Sequence, residues 1–160
     1  MKLELKHLAD YLPYGVKVTN IHILNIGNGI GSLSHLLTTK NDQYKLILRP
    51  LSDLTKEIKV NEETFIPMVY LFMNFCKVHP DKYSLDIGKT IILMDVQHEF
   101  NEWYFVYHIK EKLFEFSNKR ETAYRNLNQY EMFELLKSWH FDIFGLIDAG
   151  LAVDINTVKF

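Results

Sequence analysis

The sequence predicts an α+β fold: a mostly antiparallel sheet of about five strands packed against about three helices. Three observations carry this. Two neighbouring stretches, "WYFVYHI" and "LFEF", separate apolar from polar residues with period two, as half-buried strands do. Residues 132–147 place apolar side chains at helical spacing. Aromatic residues make up 14% of the chain, enough to build a packed core rather than a disordered segment.

Leu5, Leu8 and Leu12 mark a short amphipathic helix that Pro13 stops. "VKVTNIHILNI" follows as a strand. Its apolar phase slips from Val16 and Val18 to Ile21 and Ile23, which predicts a bulge or break near Thr19 and Asn20. "GNGIGS" reads as a flexible connection, and "LSHLLTT" and "YKLILR" as strands joined by the turn-like "KNDQ". In "LILRPLSDLTKEI", Pro50 cannot donate to a ladder and holds Arg49 extended. Ser52 or Asp53 then caps a helical turn. Arg49 is left at the end of the strand, where an ion pair with Asp53 or Glu57 is expected.

Residues 61–78, "NEETFIPMVYLFMNFCKV", read as a helix with Pro67 in its first turn and a buried stripe of Phe65, Val69, Phe72 and Cys76. "TIILMDV" is a strand. The next two strands form a hairpin around Glu111 and Lys112, with Ile109 facing Phe114 and His108 facing Glu115. One face then carries Trp103, Phe105, Tyr107, Ile109, Phe114 and Phe116, the other Tyr104, Val106, His108, Lys110, Glu115 and Ser117. Asn128 and Glu131 form a capping box, and the helix they open runs through Ile147 to a stop at Gly150. "LAVDI" closes the chain's pattern as a short strand, with Leu151, Val153 and Ile155 on one face.

At 160 residues the chain suits a single domain, residues 1–160, that folds without disulfides or metal. A formal charge of -2 gives no general attraction to nucleic acid or anionic membrane. One cysteine, Cys76, allows no internal disulfide, which fits a reducing cytoplasm. No secretory leader is read at the start. The most apolar window is about ten residues, well short of the ~20 that span a bilayer.

The motifs that carry chemistry are sparse. "DIGKT" has Tyr83 where a phosphate-binding loop needs its first glycine. Cys76 and His79 have ligand-like spacing but no second pair, and a structural zinc site wants four ligands. "DVQHEF" places Asp95, Gln97 and Glu99 on one strand face, and His108 lies across from Glu115. Asp95, Glu99, His108 and Glu115 are therefore the residues of an acid–base or metal-dependent hydrolase, if the chain is one. His140 and Asp142 lie beside the Trp139 stripe, where a histidine usually hydrogen-bonds a core neighbour. The amides of residues 27–31, with Gly27, Gly29 and Gly31, could hold a small nucleotide in an oligomer. Lys119, Arg120 and Arg125 could touch a phosphate backbone. No cofactor motif is present.

Three stretches together resemble a family of small uncharacterised proteins encoded by phages, prophages and mobile elements of Bacteroidota: "HLADYLPYGVKV", "YKLILRPLSDLTKEI" and "LKSWHFDIFGLIDAGLAVDINTV". The stretch from Lys59 to Tyr130 lies outside the resemblance. The resemblance implies a bacterial host cell and no particular chemistry. With no catalytic motif intact and aromatics plentiful, the expected function is an accessory protein that binds a host or viral macromolecule, such as a host-defence component. A protein partner is favoured, a homo-oligomer is compatible, and a membrane is not expected.

Overall fold

The computed structural model describes residues 5–20, 30–32, 44–99, 101–118, 121–124 and 127–158. They form an α+β fold containing a four-stranded, a five-stranded and a two-stranded sheet. The chain divides into two compact units, Met1–Leu51 with Glu134–Phe160, and Ser52–Phe133. Among the described residues no helix is long and apolar enough to cross a membrane.

The first unit is built from both ends of the chain. Helix α1 (Leu5–Ala9) leads into a 3₁₀ turn, Leu12–Tyr14, closed by Gly15 at φ 62. Pro13 lies inside that turn instead of ending α1. The buried stripe is His7, Leu8 and Tyr11, and Leu12 is exposed. Strands β1 (Lys17–Asn20), β2 (Ile30–Ser32) and β3 (Tyr44–Leu48) are antiparallel, with β1 between the other two. Ile30, Gly31 and Ser32 therefore belong to a strand, not to a flexible connection. The expected strand at 33–39 and the expected phase slip at Ile21 and Ile23 lie outside the described residues. Strand β11 (Ala152–Asp154) joins β3 in parallel. Leu46 and Leu48 of β3 are fully buried against Leu8, Tyr11, Val16, Val18, Leu146 and Ala152.

Helix α3 (Gln129–Ser138), within which the division between units falls, starts as expected: the Glu131 amide donates to Asn128 Oδ1 at 3.3 Å. It stops well short of Gly150. The His140 amide bonds the Lys137 carbonyl and the Phe141 amide bonds the Leu136 carbonyl, both at 2.9 Å, with His140 at φ 62. This is a Schellman closure with histidine in the left-handed position where glycine is usual. The apolar spacing at Ile143, Leu146 and Ile147 then serves a turn segment, not a helix. Asp142, nearly fully buried, organises it by accepting the Leu146 amide at 2.8 Å and the Ile147 amide at 2.7 Å.

After Pro50 the chain enters the second unit through a 3₁₀ turn, Leu51–Thr55, as expected. Residues 61–65 are not helical. Strands β4 (Ile58–Val60) and β5 (Glu63–Phe65) form a hairpin whose two turn residues, Asn61 (φ 48) and Glu62 (φ 73), both adopt positive φ. That is the twist-matched two-residue turn that asparagine favours at its first position. Helix α2 (Pro67–Leu71) begins at the proline and continues into a π-helical turn, Phe72–Cys76. Its buried residues are Pro67, Met68, Leu71, Phe72 and Cys76; Phe65 and Val69 are only partly buried.

The five-stranded sheet is an antiparallel meander: β6 (Lys82–Ile87), β7 (Ile91–His98), β8 (Asn101–His108), β9 (Leu113–Asn118) and β10 (Glu121–Tyr124). In the β8–β9 hairpin His108 faces Leu113 and Tyr107 faces Phe114, so the loop is residues 109–112 and the register differs from expectation by two. Ile109 leaves the ladder and donates its amide to Thr90 instead. A two-residue shift keeps every side chain on its expected face. Ile92, Met94, Val96, Phe105, Tyr107, Phe114 and Phe116 form the buried face. Phe72 meets Phe105 and Phe116 there at centroid distances of 5.8 and 5.6 Å, and Phe133 meets Phe114 at 5.8 Å.

Candidate functional site

The other face of the five-stranded sheet is only partly buried. Cross-strand pairing sets its rows: Ile91 beside His108 and Leu113, Leu93 beside Val106 and Glu115, and Ser84, Asp95, Tyr104 and Ser117 in a third. The centre is apolar and half-buried, Leu113 is 43% exposed, and the rim is polar. An antiparallel sheet with one solvated face ordinarily makes that face polar along every strand. This one does not.

His108 Nε2 lies 2.8 Å from Glu115 Oε2, both side chains being a little over a quarter exposed. The two residues are diagonal neighbours, since Glu115 faces Val106 directly, and diagonal pairs are within reach of long side chains. Asp95 shares the face but pairs with Tyr104, four residues along β7 from the position that faces His108, about 13 Å at the strand rise. It instead lines an open groove of ≈ 220 Å³ with Lys82, Tyr83, Ser84 and Gln97. Glu99 departs from the expected face altogether. β7 ends at His98, and Glu99 sits in the turn at φ 53, donating its amide to Asp81 Oδ2 at 2.8 Å. The four residues of the hydrolase reading are thus one contacting pair, one distant carboxylate and one turn residue. Among the described residues no three His, Cys, Asp or Glu side chains are grouped to hold a metal ion.

The other candidates resolve into structural roles or lie outside the described residues. Asp53 is buried and takes Lys56 Nζ at 2.7 Å, a partner not expected from the sequence; Glu57 is exposed. The Arg49 amide bonds the His140 carbonyl and its carbonyl accepts the Asp142 amide, both at 2.8 Å. The resulting parallel bridge between Arg49 and Phe141 extends β3 by one residue. Cys76 is buried while His79 is exposed. Gly27, Gly29, Lys119, Arg120 and Arg125 lie outside the described residues, and Gly31 pairs with Val18 in the β1–β2 ladder. "DIGKT" is the end of β6 and its turn, closed by the Gly88 amide on the Ile91 carbonyl at 2.8 Å.

Two further features were not expected from the sequence. One is β6 itself, although "KYSLDI" alternates cleanly. The other is a charged cluster in the first unit. Tyr14 donates its hydroxyl to Glu134, Glu134 also pairs with Lys137, and Lys137 lies 3.6 Å from Asp10. Hydrogen bonds from Lys137 and Tyr14 hold the Glu134 carboxyl below its usual range. Burial works to lower Lys137, but Glu134 and Asp10 outweigh it and its pKa rises. His140 Nε2 is 2.8 Å from the Tyr14 carbonyl. Burial pushes the His140 pKa down, against that bond and helped by the positive charges of Arg49 and Lys17.

No family model, curated protein or solved structure matches this chain.

Proposed function

We propose that this chain is a non-enzymatic accessory protein, of the phage and mobile-element kind its end stretches resemble, that acts by binding a protein of the bacterial host or of the element. A host-defence component is one such target. The observation that supports the reading is the outward face of the five-stranded sheet, with Ile91, Leu93, Val106 and Leu113 ringed by Tyr104, His108, Glu115 and Asp95. An apolar centre with a polar rim and an aromatic at its margin is the anatomy of a protein interface. An acid–base reading has only His108 and Glu115 in contact and no nucleophile beside them among the described residues.

The test is affinity capture from a Bacteroidota host lysate with the intact chain and with a Leu113→Glu, Tyr104→Ala variant. Both side chains are accessible enough for the fold to survive, which circular dichroism checks. A protein enriched by the parent chain and lost with the variant is the expected result. No enrichment over empty resin, or equal enrichment by both, would overturn the reading.

A further inference from the structure

Strand β6 is the open edge of the five-stranded sheet, and its sequence is complementary to itself. Five of its six residues are exposed, with Tyr83 and Ile87 each at 45%. Its ladder with β7 is unbroken over all six residues. The opposite edge is different. There the β9–β10 register shifts, and the Gln129 side chain occupies both the amide and the carbonyl of Phe114, at 2.8 and 2.7 Å. Bulges and covering groups are how proteins close a sheet edge. Among the described residues β6 carries neither.

We propose that β6 pairs antiparallel with β6 of a second copy of this chain, Ser84 facing Ser84 across a two-fold axis. Backbone parity supports that register. The Gly88 amide bonds the Ile91 carbonyl, so by alternation Asp86, Ser84 and Lys82 direct their amides at β7. Tyr83, Leu85 and Ile87 direct theirs outward. Centring on Ser84 pairs Tyr83 with the second copy's Leu85 as a hydrogen-bonded pair and Lys82 with its Asp86 as a closely spaced pair. Opposite charges meet twice and exposed tyrosine is covered twice. Neither Lys82 nor Asp86 has an ion-pair partner among the described residues of its own chain. A shift of two residues either way separates the charges, so this register is selected by them. The two-fold lies perpendicular to the sheet. Two copies therefore form one sheet of ten strands, with both outward faces on the same side and the two Asp95 grooves flanking the axis. This inference stands independently of the partner-binding reading.

Six paired residues form a small interface, so sedimentation equilibrium should span roughly 5–300 µM chain. The parent chain is expected to dimerise. Lys82→Glu and Asp86→Lys each place like charges opposite one another and weaken dimerisation about tenfold or more; the double variant restores the pairs and recovers most of it. Ser84→Cys should cross-link to a covalent dimer on mild oxidation, because closely spaced antiparallel pairs bring Cα atoms within disulfide range. A parent chain that stays monomeric throughout overturns the proposal. So does a dimer indifferent to both charge reversals, or one that Ser84→Cys fails to cross-link.

Discussion

The Tyr11 hydroxyl donates to the Phe141 carbonyl at 2.6 Å, joining residues 130 positions apart in a fully buried setting. The same oxygen accepts the Ile143 amide at 3.4 Å. One phenol therefore satisfies the backbone on both sides of Asp142, just after the Schellman closure. Removing it strands a buried carbonyl. Tyr11→Phe is expected to cost about 1–2 kcal/mol in urea denaturation while leaving circular dichroism unchanged. A variant as stable as the parent would mean that the carbonyl finds another donor.

His140 predicts an acid-side loss of stability. Folding favours its neutral form, so its pKa lies below the ordinary 6.5. As pH falls through 6.5 the unfolded imidazole takes up a proton that the folded one refuses. Its contribution is thus fully present above that value and declines below it. His140→Asn tolerates the left-handed backbone and cannot titrate. The stability difference between parent and variant should shrink as pH is lowered from about 7.5 to about 5.5; a constant difference would refute the assignment.

Tyr107 predicts an alkaline loss. Its hydroxyl is buried without a hydrogen-bond partner among the described residues, and burial pushes its pKa up to about 12. The unfolded phenol ionises near 10, so stability is retained below pH 10 and falls as pH approaches 12, by about 2–3 kcal/mol. Tyr107→Phe removes an unsatisfied polar atom. It should be more stable than the parent by about 1 kcal/mol at neutral pH, with a flatter alkaline limb in thermal melts.

Gln129 substitutes for a strand. Its side-chain amide makes both bonds that a neighbouring backbone would make to Phe114. Gln129→Glu keeps the acceptor and loses the donor, and is expected to destabilise by about 1–2 kcal/mol. Hydrogen exchange at the Phe114 amide should be faster in this variant than in the parent; unchanged exchange would show that the clamp protects nothing.

The α+β class was legible because period two and period 3.6 leave different apolar spacings. Faces were legible in the β8–β9 hairpin, yet register was not. A slip of one inverts the faces and is excluded, while a slip of two preserves them and is invisible to that argument. The end of α3 was illegible for a related reason. The apolar spacing persists past Ser138, and the left-handed residue is His140, not a glycine. The hairpin at Asn61 was hidden because its strands are three residues long. Of the proposed site, His108 and Glu115 were found from sequence, but the apolar rows around them depend on which strands are neighbours. The first row needed β7 beside β8. The Asp95 groove needed β6, whose short alternation is overshadowed by the turn signal at Gly88.

The first unit's β3 has one neighbour supplied before it in the chain and another, β11, supplied more than a hundred residues later. A ribosome adding about 5–20 residues per second finishes Ser52–Phe133, a continuous segment, about one to a few seconds before β11 exists. The newborn chain must therefore hold Leu46, Leu48 and Tyr11 without their final contacts while the later segment is already able to fold. A pause in translation near Ser138 would lengthen the interval in which that early apolar surface is open to chaperones.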